Sequence, residues 1–429
     1  MSITANTPLR PVNGLQGIKT IEELNINARR VFIRLDLNVP MKGVQITDDT
    51  RIRGALPTIK YALERKAKIV LASHLGRPKG DTPADRAKYS LAPVGQKLSE
   101  LLNLDVLLFE DPNGEGIKGM VSGLSEKQIL LLENTRFAPG EEKNSMEMAS
   151  NLASFTEVYI DDAFGAIHRA HATVSALPSL IKERGIGFLI QKEITWLDKL
   201  LNAKEKPFLT LLGGAKVSDK IGVIENLMEK VDSFVIGGAM AYTFLAAQDI
   251  AIGKSLVEND KIHLAQDLLR RFKNRNKKLI LPIDHIIASE FKANSPTQIT
   301  PTAAIPPGMM GLDIGPKTTA LIQDEISKAK IIFWNGPMGA FETPPFEKGT
   351  FAVAHSLTNS KAITVVGGGD SVTAVEAAGV ASKVSHISTG GGASLEYLEG
   401  RKLPGLEVLR QTDFRQELEK TEPREDDII

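Results

Sequence analysis

The chain has no cysteine among its 429 residues, which excludes disulfides, thiolate metal sites and cysteine nucleophiles and is compatible with a reducing compartment. It has no net charge either: Lys plus Arg and Asp plus Glu balance at 52 each. General affinity for nucleic acid or for an anionic membrane surface needs a basic excess, so neither partner is expected and any anion site must be local. No apolar run reaches the roughly 20 residues that span a bilayer. The opening segment MSITANTPLRPVNG lacks the apolar core of a signal peptide. The cytoplasm is the expected location. Two nucleotide signatures are missing as well. The first strand ends in Asp-Leu-Asn-Val-Pro rather than in the G-x-G-x-x-G of a nicotinamide dehydrogenase, and the G-x-x-x-x-G-K-[ST] of a P-loop ATPase does not occur.

What is present is the composition of a soluble globular protein, 42% hydrophobic and 24% charged, in a chain too long for one ordinary core. Short apolar runs alternate with helical patterns from Val31 onward: VFIRLDLNV, AKIVLASHL, DVLLFE, QILLLEN and EVYIDDAF read as strands, with RIRGALPTIKYALERK and LAPVGQKLSELLN among the helices between them. Near-continuous apolar strands separated by helices mean a parallel sheet covered on both faces. After Gly185 a single helical segment, GFLIQKEITWLDKLL, precedes a second series, PFLTLLGG, DSFVIGG, KLILPID, KIIFWNGP, KAITVVGGG and SHISTGG. The expected fold is α/β: two doubly wound, Rossmann-like parallel-sheet domains joined by an interdomain helix. Their bounds are 1–200, with the helix at 187–201 as a hinge, and 201–409, followed by a charged tail at 410–429.

Ligands of open parallel sheets bind beyond the carboxyl ends of the strands, so the residues there carry the functional signal. In the first half these are Asp36, Asn38, His74, Arg77, Arg136 and Arg169, with Arg51 opening the helix after the first strand. Each alone is a surface charge or a hydrogen-bonded strand end. Together, four arginines and a histidine on one sheet edge suit a small, multiply anionic substrate, because the guanidinium fork pairs bidentately with phosphate and carboxylate. His168 and His171 make only a weak metal pair. In the second half the strand ends carry glycines instead: Gly213 and Gly214, Gly237 and Gly238, Gly336, and two triglycines, Gly367 to Gly369 and Gly390 to Gly392. Strand, triglycine and helix in succession bring backbone N–H groups close to a phosphate. Lys216 and Lys220 are the cations expected at that edge; Asp370 and Glu396 are candidates for a metal ion, and Ser371 for a helix cap.

RLDLNVP, SHLGRP, LLENTRF, DDAFG…HRAH, GGAKVSDKI, FWNGPMGAFE, VVGGGDS and STGGGASLE, in that order from about Val31 to Leu409, together resemble the phosphoglycerate kinase family. The resemblance implies reversible, magnesium-dependent phosphoryl transfer between 1,3-bisphosphoglycerate and ADP, giving 3-phosphoglycerate and ATP, in glycolysis and gluconeogenesis. It assigns Asp36, Asn38, Arg51, His74, Arg77, Arg136 and Arg169 to 3-phosphoglycerate, and Lys216 and Lys220 to the nucleotide phosphates. Asn335 and Glu342 match positions near phosphates and ribose. Gly213, Gly237 and Gly311 match the adenine surroundings, Gly367, Gly368, Gly369 and Ser371 a phosphate loop, and Asp370 the magnesium-associated aspartate. Arg51, Lys216, Gly391 and Gly392 would meet the moving phosphoryl group. The protein is expected to be a monomer with no nucleic-acid or membrane partner, and its two domains to close for transfer. The alternative is a non-catalytic nucleotide- or metabolite-binding protein on the same scaffold. It predicts damaged cation or glycine positions, and none is found.

Overall fold

The computed structural model of the chain describes residues 13–113, 116–125 and 128–410; the expected charged tail lies almost wholly outside them. The chain forms two compact units, Asn13–Thr195 together with the chain from Lys402, and Trp196–Arg401.

The first unit is built on six parallel strands: β1 (Arg30–Leu35), β2 (Lys68–Ala72), β3 (Asp105–Phe109), β4 (Gln128–Leu132), β5 (Val158–Asp162) and β6 (Glu183–Ile186), in the order β3-β4-β2-β1-β5-β6. Its central strands are buried on both faces, as their apolar runs require. The strand order reverses between β1 and β5, so the crevice of this sheet opens where Asp36 and the loop carrying Arg169 emerge. Helix α1 (Thr50–Glu64) packs on the sheet through Ile52, Ala55, Ile59 and Ala62, an i, i+3, i+7, i+10 stripe, despite Pro57 in its interior.

The second unit repeats the plan with β7 (Phe208–Leu212), β8 (Ser233–Ile236), β9 (Lys278–Ile280), β10 (Ile331–Asn335), β11 (Ile363–Gly367) and β12 (His386–Ile387), ordered β9-β8-β7-β10-β11-β12. All of these pairs are parallel. Its crevice lies between β7 and β10, whose last residues Leu212 and Asn335 are in register. A separate three-stranded antiparallel sheet, with Gln298–Ile299, His285–Ala288 and Met310–Ile314 in that spatial order, was not expected from the sequence.

Helix α2 (Phe188–Leu201) carries the chain from the first unit into the second. The Phe188 ring meets Tyr61 edge-on at 5.3 Å within the first unit, and Trp196 stacks on His386 at 5.4 Å within the second. Where the sequence reading closes the second domain at 409, the described chain after Lys402 packs instead on the first unit. Gly405 N–H donates to Ile167 O at 2.9 Å, and a Cβ at Gly405 would lie 2.6 Å from the Ile167 side chain. Arg184 Nε donates to Val408 O at 2.9 Å.

Candidate active site: two half-sites

At the crevice of the first unit, the turn after β1 fixes a carboxylate and an amide. Both oxygens of Asp36 accept from Arg51 at 2.8 Å, which holds the guanidinium of α1's first turn against the sheet edge. Asn38 Oδ1 accepts from Gly76 N–H at 2.8 Å, tying that turn to the loop after β2. The same loop accepts at Gly76 O from Arg136 at 2.6 Å, and Arg136 pairs through Nε with Glu142 at 3.1 Å.

His74, almost fully buried, sits among these cations. Its pKa lies well below the usual imidazole range, first because it is buried and then because Arg34, Arg136, Arg169 and Arg51 all oppose a further positive charge. Arg34 Nη2 lies 3.2 Å from His74 Nδ1. A guanidinium only donates, so Nδ1 accepts and the ring proton sits on Nε2. His74 is therefore a neutral donor within an arginine ring. Arg169 is partly buried and donates to His168 Nε2 at 3.2 Å. Arg77, which directly follows Gly76 in the loop after β2, is exposed and makes no hydrogen bond or ion pair among the described residues.

The sequence reading missed Arg34. It is fully buried one residue before the end of β1, donates to Thr173 Oγ1 at 2.8 Å and to Leu35 O, and lies 3.9 Å from Glu141. Glu141, also fully buried, accepts from the Thr173 hydroxyl at 2.6 Å and its N–H at 3.0 Å. His171 reaches Glu141 at 3.9 Å, and burial and the neighbouring arginines push its pKa down to about 3. A buried charge without partners is prohibitive, so Glu141 and Thr173 are what permit a fourth cation beneath the crevice. The available signal was an arginine interrupting an apolar run.

In the second unit the backbone dominates. Gly213 N–H donates to Asn335 O at 2.9 Å and Gly214 N–H to Pro337 O at 3.0 Å, closing β7 onto β10. A Cβ at Gly213 would lie 2.0 Å from Pro337 O, one at Gly237 2.5 Å from Met338 Sδ, and one at Gly311 2.1 Å from Tyr242 Oη. These three are glycines of close packing. Gly311 lies inside the antiparallel strand Met310–Ile314, and its link to the crevice is Tyr242 on Met240–Ala246, the helix that follows Gly237 and Gly238.

By contrast, Cβ atoms at Gly214, Gly369 and Gly391 would meet nothing within 4 Å, and Gly214 and Gly391 have φ of +101° and +54°. Gly367 and Gly368 back onto Asn335. Asn335, nearly fully buried, donates to Gly367 O at 2.8 Å and accepts from Lys220 Nζ. Burial lowers the pKa of that lysine, and Asp219, Asp370 and Glu399 partly offset the effect. Lys216, Glu342, Gly392 and Asp370 are exposed.

Ser371 is not a helix cap. Helix Gly369–Ala377 starts two residues earlier because Gly368, at φ +88°, leaves the helical region there, and the buried Ser371 hydroxyl accepts from Gly336 N–H. Glu396 pairs with Arg401 at 3.3 Å. No cluster of three or more His, Asp or Glu side chains able to hold a metal occurs among the described residues. A magnesium ion that arrives on nucleotide phosphates needs only one or two protein carboxylates, and an exposed Asp370 beside the open Gly369 fits that demand. No helix among the described residues is long and apolar enough to cross a membrane.

Fold and sites together define a two-domain α/β phosphotransferase. The family model described as phosphoglycerate kinase matches residues 21–401. Proteins described as phosphoglycerate kinase are 54% identical over 398 residues in Bdellovibrio bacteriovorus, covering 93% of this chain and 98% of that protein. In an Anaeromyxobacter species the identity is 55% over 393 residues, covering 91% and 99%. The structure of phosphoglycerate kinase from Coxiella burnetii superposes with a TM-score of 0.83 at 39% identity, covering 91% of this chain and 98% of that one. The chain belongs to the phosphoglycerate kinase family, and its activity is that of a glycolytic kinase.

Proposed function

We propose that the chain transfers a phosphoryl group reversibly between 1,3-bisphosphoglycerate and ADP, with the first unit holding the glycerate and the second the nucleotide. The observation that carries this division is the neutral, buried His74 ringed by Arg34, Arg51, Arg136 and Arg169. Four fixed cations and an imidazole N–H donor suit a ligand with phosphate at one end and carboxylate at the other. Asp36 and Asn38 set the position of Arg51 and of the loop bearing Arg77. On the nucleotide side, Gly213, Gly237 and Gly311 keep the adenine surroundings close-packed. Lys220, Asn335 and Gly367 to Gly369 face phosphate, with Ser371 bracing that loop from beneath, and Glu342 takes the ribose.

Asp370, with the nucleotide phosphates, would hold magnesium, which would supply charge neutralisation there. The remaining work falls to the chain. The 3-phosphoglycerate carboxylate is already a nucleophile near neutral pH, so no general base is required. Arg51, Lys216 and the Gly391 and Gly392 amides stabilise the charge on the moving group, and acceptor oxygen and phosphorus must come within about 3–3.5 Å in line. The protein acts in the cytoplasm as a monomer on small molecules alone. A coupled assay with 3-phosphoglycerate, ATP and magnesium tests the reaction, and ADP release that does not depend on 3-phosphoglycerate would refute it. No feature favours the non-catalytic alternative.

A further inference from the structure

Helix α2 begins on a cap made by two residues that the reaction scheme leaves unused. Thr58 Oγ1 accepts from Phe188 N–H at 3.0 Å and donates to Asp162 Oδ2 at 2.6 Å. Asp162 Oδ1 accepts from Leu189 N–H at 2.8 Å and from Ile190 N–H at 3.1 Å. Three of the four N–H groups that a helix start leaves unpaired are thus satisfied from outside the helix, by fully buried side chains. The carboxylate is seated with no slack: a Cβ at Gly187 would lie 2.4 Å from the Asp162 carboxyl carbon. Gly187 needs no left-handed backbone, so what requires glycine there is room for Asp162.

Both partners come from elements that also carry the arginine half-site. Thr58 follows Arg51 by seven residues on α1, two turns on and on nearly the same side of the helix. Asp162 is the last residue of β5, and the next loop leads to Arg169. A displacement of α1 driven by ligand at Arg51 therefore reaches the first peptide groups of α2 through one hydroxyl. A slack surface contact would absorb such a movement; a buried, fully bonded cap transmits it.

We infer that Thr58 and Asp162 are positioning residues for phosphoryl transfer, coupling ligand at the arginine half-site to the start of the helix that leads into the nucleotide-binding unit. This rests on the assignment of Arg51 to 3-phosphoglycerate. Neither residue touches substrate. Their loss is expected to leave the separate binding of each substrate intact and to lower the rate at which the ternary complex reacts.

The test is steady-state kinetics with thermal denaturation on Thr58→Val, Thr58→Ser, Asp162→Asn and Gly187→Ala. Valine keeps the shape of threonine and removes both hydrogen bonds. Thr58→Val should lower kcat about ten-fold, the loss expected when one ordinary helix cap no longer supports the productive arrangement. KM for both substrates should stay within about two-fold of the parent. Thr58→Ser should restore kcat. Gly187→Ala, which displaces the carboxylate without removing it, should resemble Thr58→Val; Asp162→Asn, which keeps an acceptor for Leu189 and Ile190, should lose less. A fall in melting temperature with parental kcat, measured well below the transition, would reduce the cap to a structural role and overturn the inference. If Thr58→Val does not fold, Asp162→Asn decides by the same readout. Arg51→Ala is measured alongside. A parental KM for 3-phosphoglycerate in that variant faults the half-site assignment, whereas a raised KM there with parental kcat in the cap variants faults the coupling alone.

Discussion

The two units share a plan, a six-stranded parallel sheet with its crevice at a reversal of strand order, yet they equip that crevice in opposite ways. The first fills it with side-chain charge already fixed by protein partners: Arg51 on Asp36, Arg136 on Gly76 and Glu142, and Arg34 on Thr173 beneath His74. The second fills it with backbone, and its cations differ from each other: Lys220 is partly buried and bonded to Asn335, whereas Lys216 is exposed and makes no bond among the described residues. A substrate bound for its fixed anionic ends profits from cations ordered in advance, because the entropy of ordering them is lost on folding and not on binding. A phosphoryl group in flight profits from a cation that completes its contacts only at the transition state.

The sharpest test of that contrast is Lys216→Ala. It should lower kcat by ~10²-fold or more while calorimetry finds ADP binding little changed, since a cation aimed at the moving group acts chiefly in the transition state. Unchanged turnover would remove Lys216 from the mechanism. Next come the glycines. Gly213→Ala forces a Cβ to within 2.0 Å of a backbone oxygen and should destabilise the fold by about 1–3 kcal/mol or more in urea titration. Gly369→Ala meets open space at a helix start and should leave stability unchanged or slightly higher while raising KM for ATP. Equal stability losses in the two variants would erase the distinction between packing and ligand-facing glycines.

On the arginine side, Arg77→Ala should raise KM for 3-phosphoglycerate by about ten-fold, the loss of one charge-assisted contact, and leave KM for ATP nearly unchanged. An equal effect on both substrates would mean that the units do not divide the ligands. The last test concerns acid. Unfolded, His171 takes its proton near 6.5; folded, near 3. Between those values the unfolded chain binds the additional proton, so this residue's contribution makes stability fall as pH falls. Asp161 and Asp162, raised by burial to about 6 and about 7, act with the opposite sign over much of that range. His171→Asn should therefore lose less stability than the parent on acidification, read as the difference between their unfolding free energies at each pH.

Much of this was legible in the residues because parallel strands covered on both faces must be written as apolar runs, and because ligand-binding residues of such sheets stand directly after those runs. Position after a strand was enough to single out Asp36, Asn38, His74 and Arg136 as candidates, whereas the pairing of Arg51 with Asp36 is visible only in the fold. Strand β6 was missed because ERGI carries two charges and only its last two residues are buried. Gln298–Ile299 is exposed, so no alternation marks it.

What the residue order could not decide was which identical letters do which work. Gly213 and Gly214 are neighbours in one motif, yet the first is pressed against Pro337 and the second faces open space. Arg34 and Arg136 are both arginines at the same sheet, but only the fold supplies Glu141 and Thr173, remote in sequence, that let Arg34 be buried. Thr58 reads as an ordinary residue of α1's buried face, and Asp162 as half of an acidic pair. Their meeting at the start of α2 joins segments 104 residues apart. Patterning along a chain reports whether a side chain faces a core. Which other side chain it finds there depends on how the elements are brought together, and that is a property of the tertiary structure alone.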